Sequence, residues 1–201
     1  MKLTYYFSPI SAFAFLGHKK IINIKNKFNI NLEPKPIDLA YVLSKTGGVP
    51  LKLRHKSRRK YRIEEMKRFS KINKVKIILK PKFFPPKDVN LVSQIIISSN
   101  LLKVRKDIAL FFFKNLWQNN RDIFDLKFFE DYCKKNDLNF KKIINIAIHK
   151  KTKKILLDNT NEAIKRGVFG SPAYYFRGQI YWGQDRIFVL SKKIKSEFAY
   201  Q

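Results

Sequence analysis

The sequence predicts an α/β fold in which a β-α-β opening and a closing β-β-α unit enclose a long all-helical segment. Three observations carry this. Short apolar runs bounded by Pro, Asn and Gly lie near the two ends of the chain. Between them, over roughly residues 57–166, apolar residues recur at helical spacing. Near the C-terminus, Arg177–Gly178 joins two short β-type runs, a hairpin signal. At 201 residues and 45% hydrophobic, the chain is long and apolar enough for one packed domain spanning 1–201, and disorder throughout is excluded.

The elements follow in order. Residues 3–7 read as a buried strand, and Ser8–Pro9 then punctuates it, Pro suiting a first helical turn. Phe13, Leu16, Ile21, Ile24 and Phe28 form a helical stripe, which places His18 on the exposed side. Residues 31–37 form a second strand whose prolines fit an edge position. Residues 46–50 are a loop. A basic stretch at 52–60 then leads into a helix through Tyr61, Ile63, Met66 and Phe69. A proline-rich loop at 80–86 precedes helices at 89–102, 106–118, 126–135, 139–149 and 152–166. Asp107, Asp122 and Asp137 stand near the starts of helices, where a carboxylate suits unpaired N–H groups. Strands at 173–176 and 179–182 follow, and a last helix through Ile187, Leu190 and Ile194 starts near Gln184 and Asp185. This is a thioredoxin-like order with a large helical insertion.

The net charge of +28 points at first to nucleic acid or an anionic membrane surface. Yet the cations are mostly Lys, spread along the whole chain together with Asn and Ile, as biased base composition alone would produce. Most aromatics fall at core spacing, as in Leu110–Phe111–Phe112–Phe113, and not interleaved with basic residues. The expectation is no nucleic-acid and no membrane partner, a basic nucleic-acid binder being the alternative class. The single cysteine, Cys133, excludes an internal disulfide and sits among aromatics as a structural thiol. His18, His55 and His149 lack metal spacing, so no metal is expected. Ser8, Pro9 and Ser11 interrupt the apolar start, and no small-residue cleavage site follows. A retained first strand and a cytoplasmic location are therefore expected.

Three segments carry chemistry. Ser8–Pro9–Ile10–Ser11 occupies the strand–helix junction where thioredoxin-like redox proteins carry Cys-x-x-Cys. Serine at both positions rules out dithiol chemistry there. The Ser8 hydroxyl suits a thiolate brought by a ligand, and it equally suits a helix N-cap. Ser11, a turn further on, is expected to face away from such a sulfur. Val168–Phe169–Gly170–Ser171–Pro172 places a proline before the closing hairpin, where a cis bond is expected. Trp182–Gly183–Gln184–Asp185–Arg186 puts Gln184 and Asp185 at a helix N-terminus, suited to a carboxylate and an ammonium on one carbon or simply to capping.

Together with Thr46–Gly47–Gly48–Val49–Pro50–Leu51, these segments resemble the 2-hydroxychromene-2-carboxylate isomerases, relatives of kappa-class glutathione transferases and of the DsbA group. The resemblance runs from the first strand to the last helix, and its specific part is the VFGSP and WGQDR pair. It implies glutathione as cofactor and a small aromatic substrate, isomerised by reversible addition of the glutathione thiolate to an aromatic pyruvate-type compound. Ser8 matches the catalytic serine. Ser171, beside Pro172, matches the backbone clamp on the glutathione cysteine, and Gln184 and Asp185 match the binders of the γ-glutamyl end. Ser11, Arg54 and Arg58 are further substrate-binding candidates, the two arginines suiting either a substrate carboxylate or a solvated basic loop. Gly48 stands where kappa transferases and several isomerases carry an asparagine. A kappa-like transferase is the alternative enzyme, and the resemblance also implies a homodimer.

Overall fold

The computed structural model describes residues 1–85 and 89–199. Pro86, the end of the expected proline-rich loop, lies outside them. Strand β1 (Lys2–Phe7) and strand β2 (Asn31–Pro36) run parallel, linked by helix α1 (Ala12–Lys27). Strands β3 (Ala173–Phe176) and β4 (Gln179–Trp182) close the chain as a hairpin, followed by helix α9 (Ile187–Ala199). The four strands lie in the order β2-β1-β3-β4, with β3 antiparallel to β1. Pro34 and Pro36 therefore sit on an edge strand, where a missing N–H is tolerated.

Alternation along β1 sends its side chains to two cores. Leu3, Tyr5 and Phe7 enter the larger one with α1, α9 and the aromatic helices. Tyr6 enters a smaller one with Ile37, Val42, Ala163, Val168 and Ala173. Between β2 and β3 lie helices α2 (Leu39–Lys45), α3 (Lys56–Asn73), α4 (Asn90–Leu101), α5 (Ile108–Trp117), α6 (Leu126–Lys135), α7 (Phe140–Ile148) and α8 (Lys150–Lys165). α3 and α5 pack on α1, and α4 packs on α7 and α8.

Several local expectations are corrected. α2 has no counterpart in the sequence reading; it is only seven residues long and is capped by Asp38, whose carboxylate accepts from Tyr41 N at 3.0 Å. α3 begins within the basic stretch, after a 3-10 turn at Leu51–Leu53. Asp107 does cap α5, but Asp125 and Asn139 cap α6 and α7 in place of Asp122 and Asp137. His18 is buried, not exposed: its Nε2 meets Asp107 Oδ2 at 2.8 Å, and its ring lies edge-on to Phe113. Among the described residues, no helix is long and apolar enough to cross a membrane.

Candidate active site

β1 delivers the chain to the N-terminus of α1 at Ser8. The Ser8 carbonyl accepts from Ser11 N at 2.9 Å, closing a turn. Ser11, not Ser8, is the N-cap, its Oγ accepting from Ala14 N at 3.1 Å. Ser8 thus has no capping role. Its hydroxyl is fully buried and has no hydrogen-bond partner among the described residues. A buried, unpaired hydroxyl is costly, and Ser8 shares this state with Gln184 Nε2, Asn73 Oδ1, Trp117 Nε1 and Tyr174 Oη.

The segment before β3 closes on this junction. Ser171–Pro172 is a cis bond, as expected. The Ser8 N–H donates to Ser171 Oγ at 2.9 Å, and the Ser11 hydroxyl donates to Ser171 O at 3.0 Å. Ser11 therefore faces the proline loop, against expectation: the N-cap geometry aims its side chain back over the turn. Its hydroxyl is committed as both donor and acceptor. The Ser171 hydroxyl only accepts, so its proton is free, as is that of Ser8. Two uncommitted O–H donors thus meet at the positive end of a 16-residue helix with no acidic residue in its first turn.

The closing turn presents Gln184 and Asp185 differently. The Pro172 carbonyl accepts from Gly183 N at 2.9 Å, tying this turn to the proline loop. Gln184 is turned inward: its Oε1 accepts from Asn73 Nδ2 at 2.9 Å, its Cβ packs on α1 at Gly17, and its Nε2 is buried with no partner among the described residues. The Asp185 carboxylate is exposed, 3.1 Å from Arg186 Nη1. Exposed Phe169 and Trp182 pack ring to ring at 4.7 Å beside it.

Arg54 is partly buried and donates from Nε to Val49 O at 2.7 Å, whereas Arg58 is exposed on α3. The next residue on that face, Arg62, was missed by the sequence reading. Its spacing of four from the core residue Met66 was the signal that α3 turns a cation inward. A Cβ on Gly48 would overlap Leu43, which explains why glycine stands in this tight α2 exit. Cys133 is buried in α6, and burial followed by the nearby Glu130 pushes its thiol up to about 11. His55 and His149 cap α3 and α8. No group of three metal-ligating side chains exists among the described residues. Surface clefts of about 430 and 290 Å³ open at the β2 edge and between α2 and α8, away from Ser8.

The family model for the DSBA-like thioredoxin domain matches residues 2–195. Among solved structures, a 2-hydroxychromene-2-carboxylate isomerase superposes with a TM-score of 0.81 at 19% identity, covering 98% of this chain and 95% of that one. The cytosolic disulfide reductase DsbM from Pseudomonas aeruginosa, solved with GSH, gives 0.65 at 10% identity, covering 97% and 100%. The oxidoreductase DsbA from Xylella fastidiosa gives 0.62 at 8% identity, covering 98% and 86%. No curated protein is significantly similar in sequence.

Proposed function

Because the chain belongs to the DSBA-like thioredoxin domain family yet carries serine at both junction positions, we propose that it is a glutathione-dependent isomerase of the 2-hydroxychromene-2-carboxylate isomerase type. The observation that carries this reading is the buried Ser8 hydroxyl, unpaired at the N-terminus of α1 against the cis-proline loop. The chain's only cysteine lies in α6 with a raised pKa, so a thiol that reacts at this junction is a ligand's. The likeness to an isomerase of that name, and to a reductase solved with GSH, supports the same reading.

The residues fit glutathione. Ser8 and Ser171 offer two free O–H donors to a sulfur, and the α1 N-terminus favours its charged form. Ser171 and Pro172 form the clamp for the cysteine backbone, and the Asp185 carboxylate suits the α-ammonium. Backbone N–H groups around Gln184 suit the neighbouring carboxylate. When bound, glutathione supplies a thiolate nucleophile that is recovered at the end of the reaction. Ser8 is fully buried, so a ligand sulfur reaches its hydroxyl only when the groups covering it move. Arg54 and Arg58 supply positive charge on the substrate side.

The test is to follow 2-hydroxychromene-2-carboxylate by absorbance with and without glutathione. Interconversion with its ring-opened pyruvate isomer that requires glutathione, and returns all of it, is the expected result. Stoichiometric loss of glutathione into a stable adduct would make the protein a kappa-like transferase. Turnover without glutathione would sink both.

A further inference from the structure

Arg62 lies on α3 among aromatic rings. Its guanidinium carbon is 5.8 Å from the ring of Phe13, 5.7 Å from Phe84 and 5.9 Å from Trp117. Its hydrogen bond is to the Met66 thioether, at 3.0 Å, a weak acceptor. The two carboxylates nearest in sequence, Glu64 and Glu65, pair instead with Arg68. Among the described residues, no carboxylate pairs with Arg62. Burial, then the neighbouring charge of Arg54, lowers its pKa to about 10. The indole N–H of Trp117 is also buried, without a partner among the described residues. The cluster is thus rich in donors and poor in acceptors.

Stacking on aromatic rings offsets part of the cost of a poorly solvated cation, and the arginine stem packs favourably. Rings, however, engage the guanidinium face. Apart from the Nη1–H given to the Met66 thioether, they leave the donor fork, which matches a carboxylate, without an acceptor among the described residues. Phe13 stands in the first turn of α1, two residues beyond the N-cap Ser11 and so on the same helix end as Ser8. Arg62 is only partly buried, so part of its side chain meets solvent.

We propose that Arg62, backed by Arg54, anchors the carboxylate of the aromatic substrate, whose ring lies against Phe13 and Phe84. The substrate class rests on the isomerase reading above; the anchor itself rests on the uncompensated guanidinium. Positive charge from two arginines would hold the carboxylate end while the conjugated system faces the helix N-terminus.

The test uses the full chain and calorimetric titration with 1-naphthoate and its neutral analogue 1-naphthamide, at about 0.15 M salt so that remote surface charge is screened. The wild type should bind naphthoate at least ~10-fold more tightly than naphthamide, a gap expected of a charge-assisted contact. Arg62→Gln should close that gap, whereas Arg105→Gln, at an exposed surface position, should not. If Arg62→Gln is unfolded, Arg62→Met gives the same reading, since it removes the charge and keeps the apolar stem. Equal affinity for the two probes, or naphthoate affinity retained without Arg62, would overturn the anchor. A protein that binds naphthoate through Arg62 but never isomerises the chromene keeps the anchor and loses the isomerase reading. One that isomerises without naphthoate preference loses the anchor alone.

Discussion

Ser8 is the residue on which the chemistry turns, and its environment sharpens what its removal should do. With no capping role and no partner, its hydroxyl contributes nothing to the resting fold that alanine would forfeit. Ser8→Ala should therefore fold normally yet lose a charge-assisted hydrogen bond worth roughly 1.5–3 kcal/mol to a bound thiolate. The pKa of bound glutathione, followed by thiolate absorbance, should rise by roughly 1–2 units. An unchanged pKa and turnover would remove Ser8 from the mechanism. Ser11→Ala should do the reverse: the N-cap and the tie to Ser171 go, so stability should fall by about 0.5–2 kcal/mol while the thiol pKa moves less. Asp185→Ala should weaken glutathione binding in calorimetry, with folding intact because the side chain is exposed. The motifs at Ser8, Pro172 and Asp185 were legible because chain order alone places them at a strand–helix junction, before a hairpin and at a helix start. The facing of Ser11, Gln184 and Arg62 was not. Which way a side chain points depends on cap geometry and on which neighbour leaves room, as Gly17 does for Gln184.

At the scale of elements, α1 shows what periodicity reads well and where it stops. Its stripe through Leu16, Ile21 and Ile24 is buried as expected. But Ala14, Phe15, Gly17 and His18 are buried too, because the sheet, α3, α5 and α9 enclose the N-terminal half on several sides. A single apolar stripe describes a helix with one covered face, so a polar residue such as His18 is misplaced once other faces are covered. Its polarity is answered by Asp107, which caps α5 and ties that helix to α1. Burial works to raise the Asp107 pKa, but the hydrogen bond and charge of His18, the Leu110 N–H and Lys114 outweigh it, and the net shift is downward. A depressed carboxylate stabilises the fold above its unfolded value, about pH 4, and loses that contribution as pH falls through the folded value. Asp107→Ala should therefore cost about 1–2 kcal/mol in urea unfolding near neutrality, from the cap alone. The gap from wild type should shrink as the pH drops below about 4. A gap independent of pH would mean that the ion pair with His18 contributes nothing.

For the whole molecule, the order of elements along the chain and the long helical segment were legible because the strand and helix periods differ and the punctuating residues are sharp. The charge was the least legible feature, since +28 is compatible both with a polyanion partner and with none. The structure adds a physical consequence. Only 15 acidic residues face 43 Lys and Arg, and many of the acids are engaged: Glu33 and Glu162 with Lys35, Asp158 with Lys154, Glu197 with Lys193 and Arg177. Most cations are therefore left facing one another across the surface. Such self-repulsion destabilises a compact state, and salt screens it over about 8 Å at physiological ionic strength. Thermal unfolding should therefore shift upward as sodium chloride rises from about 10 mM, where screening extends about 30 Å, to about 150 mM. Duplex DNA should bind at the low end, through counterion release, and with little sequence preference. The same rise in salt that stabilises the fold should dissociate that complex, because both effects act through the same unpaired cations. A folded chain whose melting temperature ignores salt would mean that the cations are compensated. Selective nucleic-acid binding that survives physiological salt would mean that they form a built interface, and would favour the nucleic-acid binder over the isomerase reading.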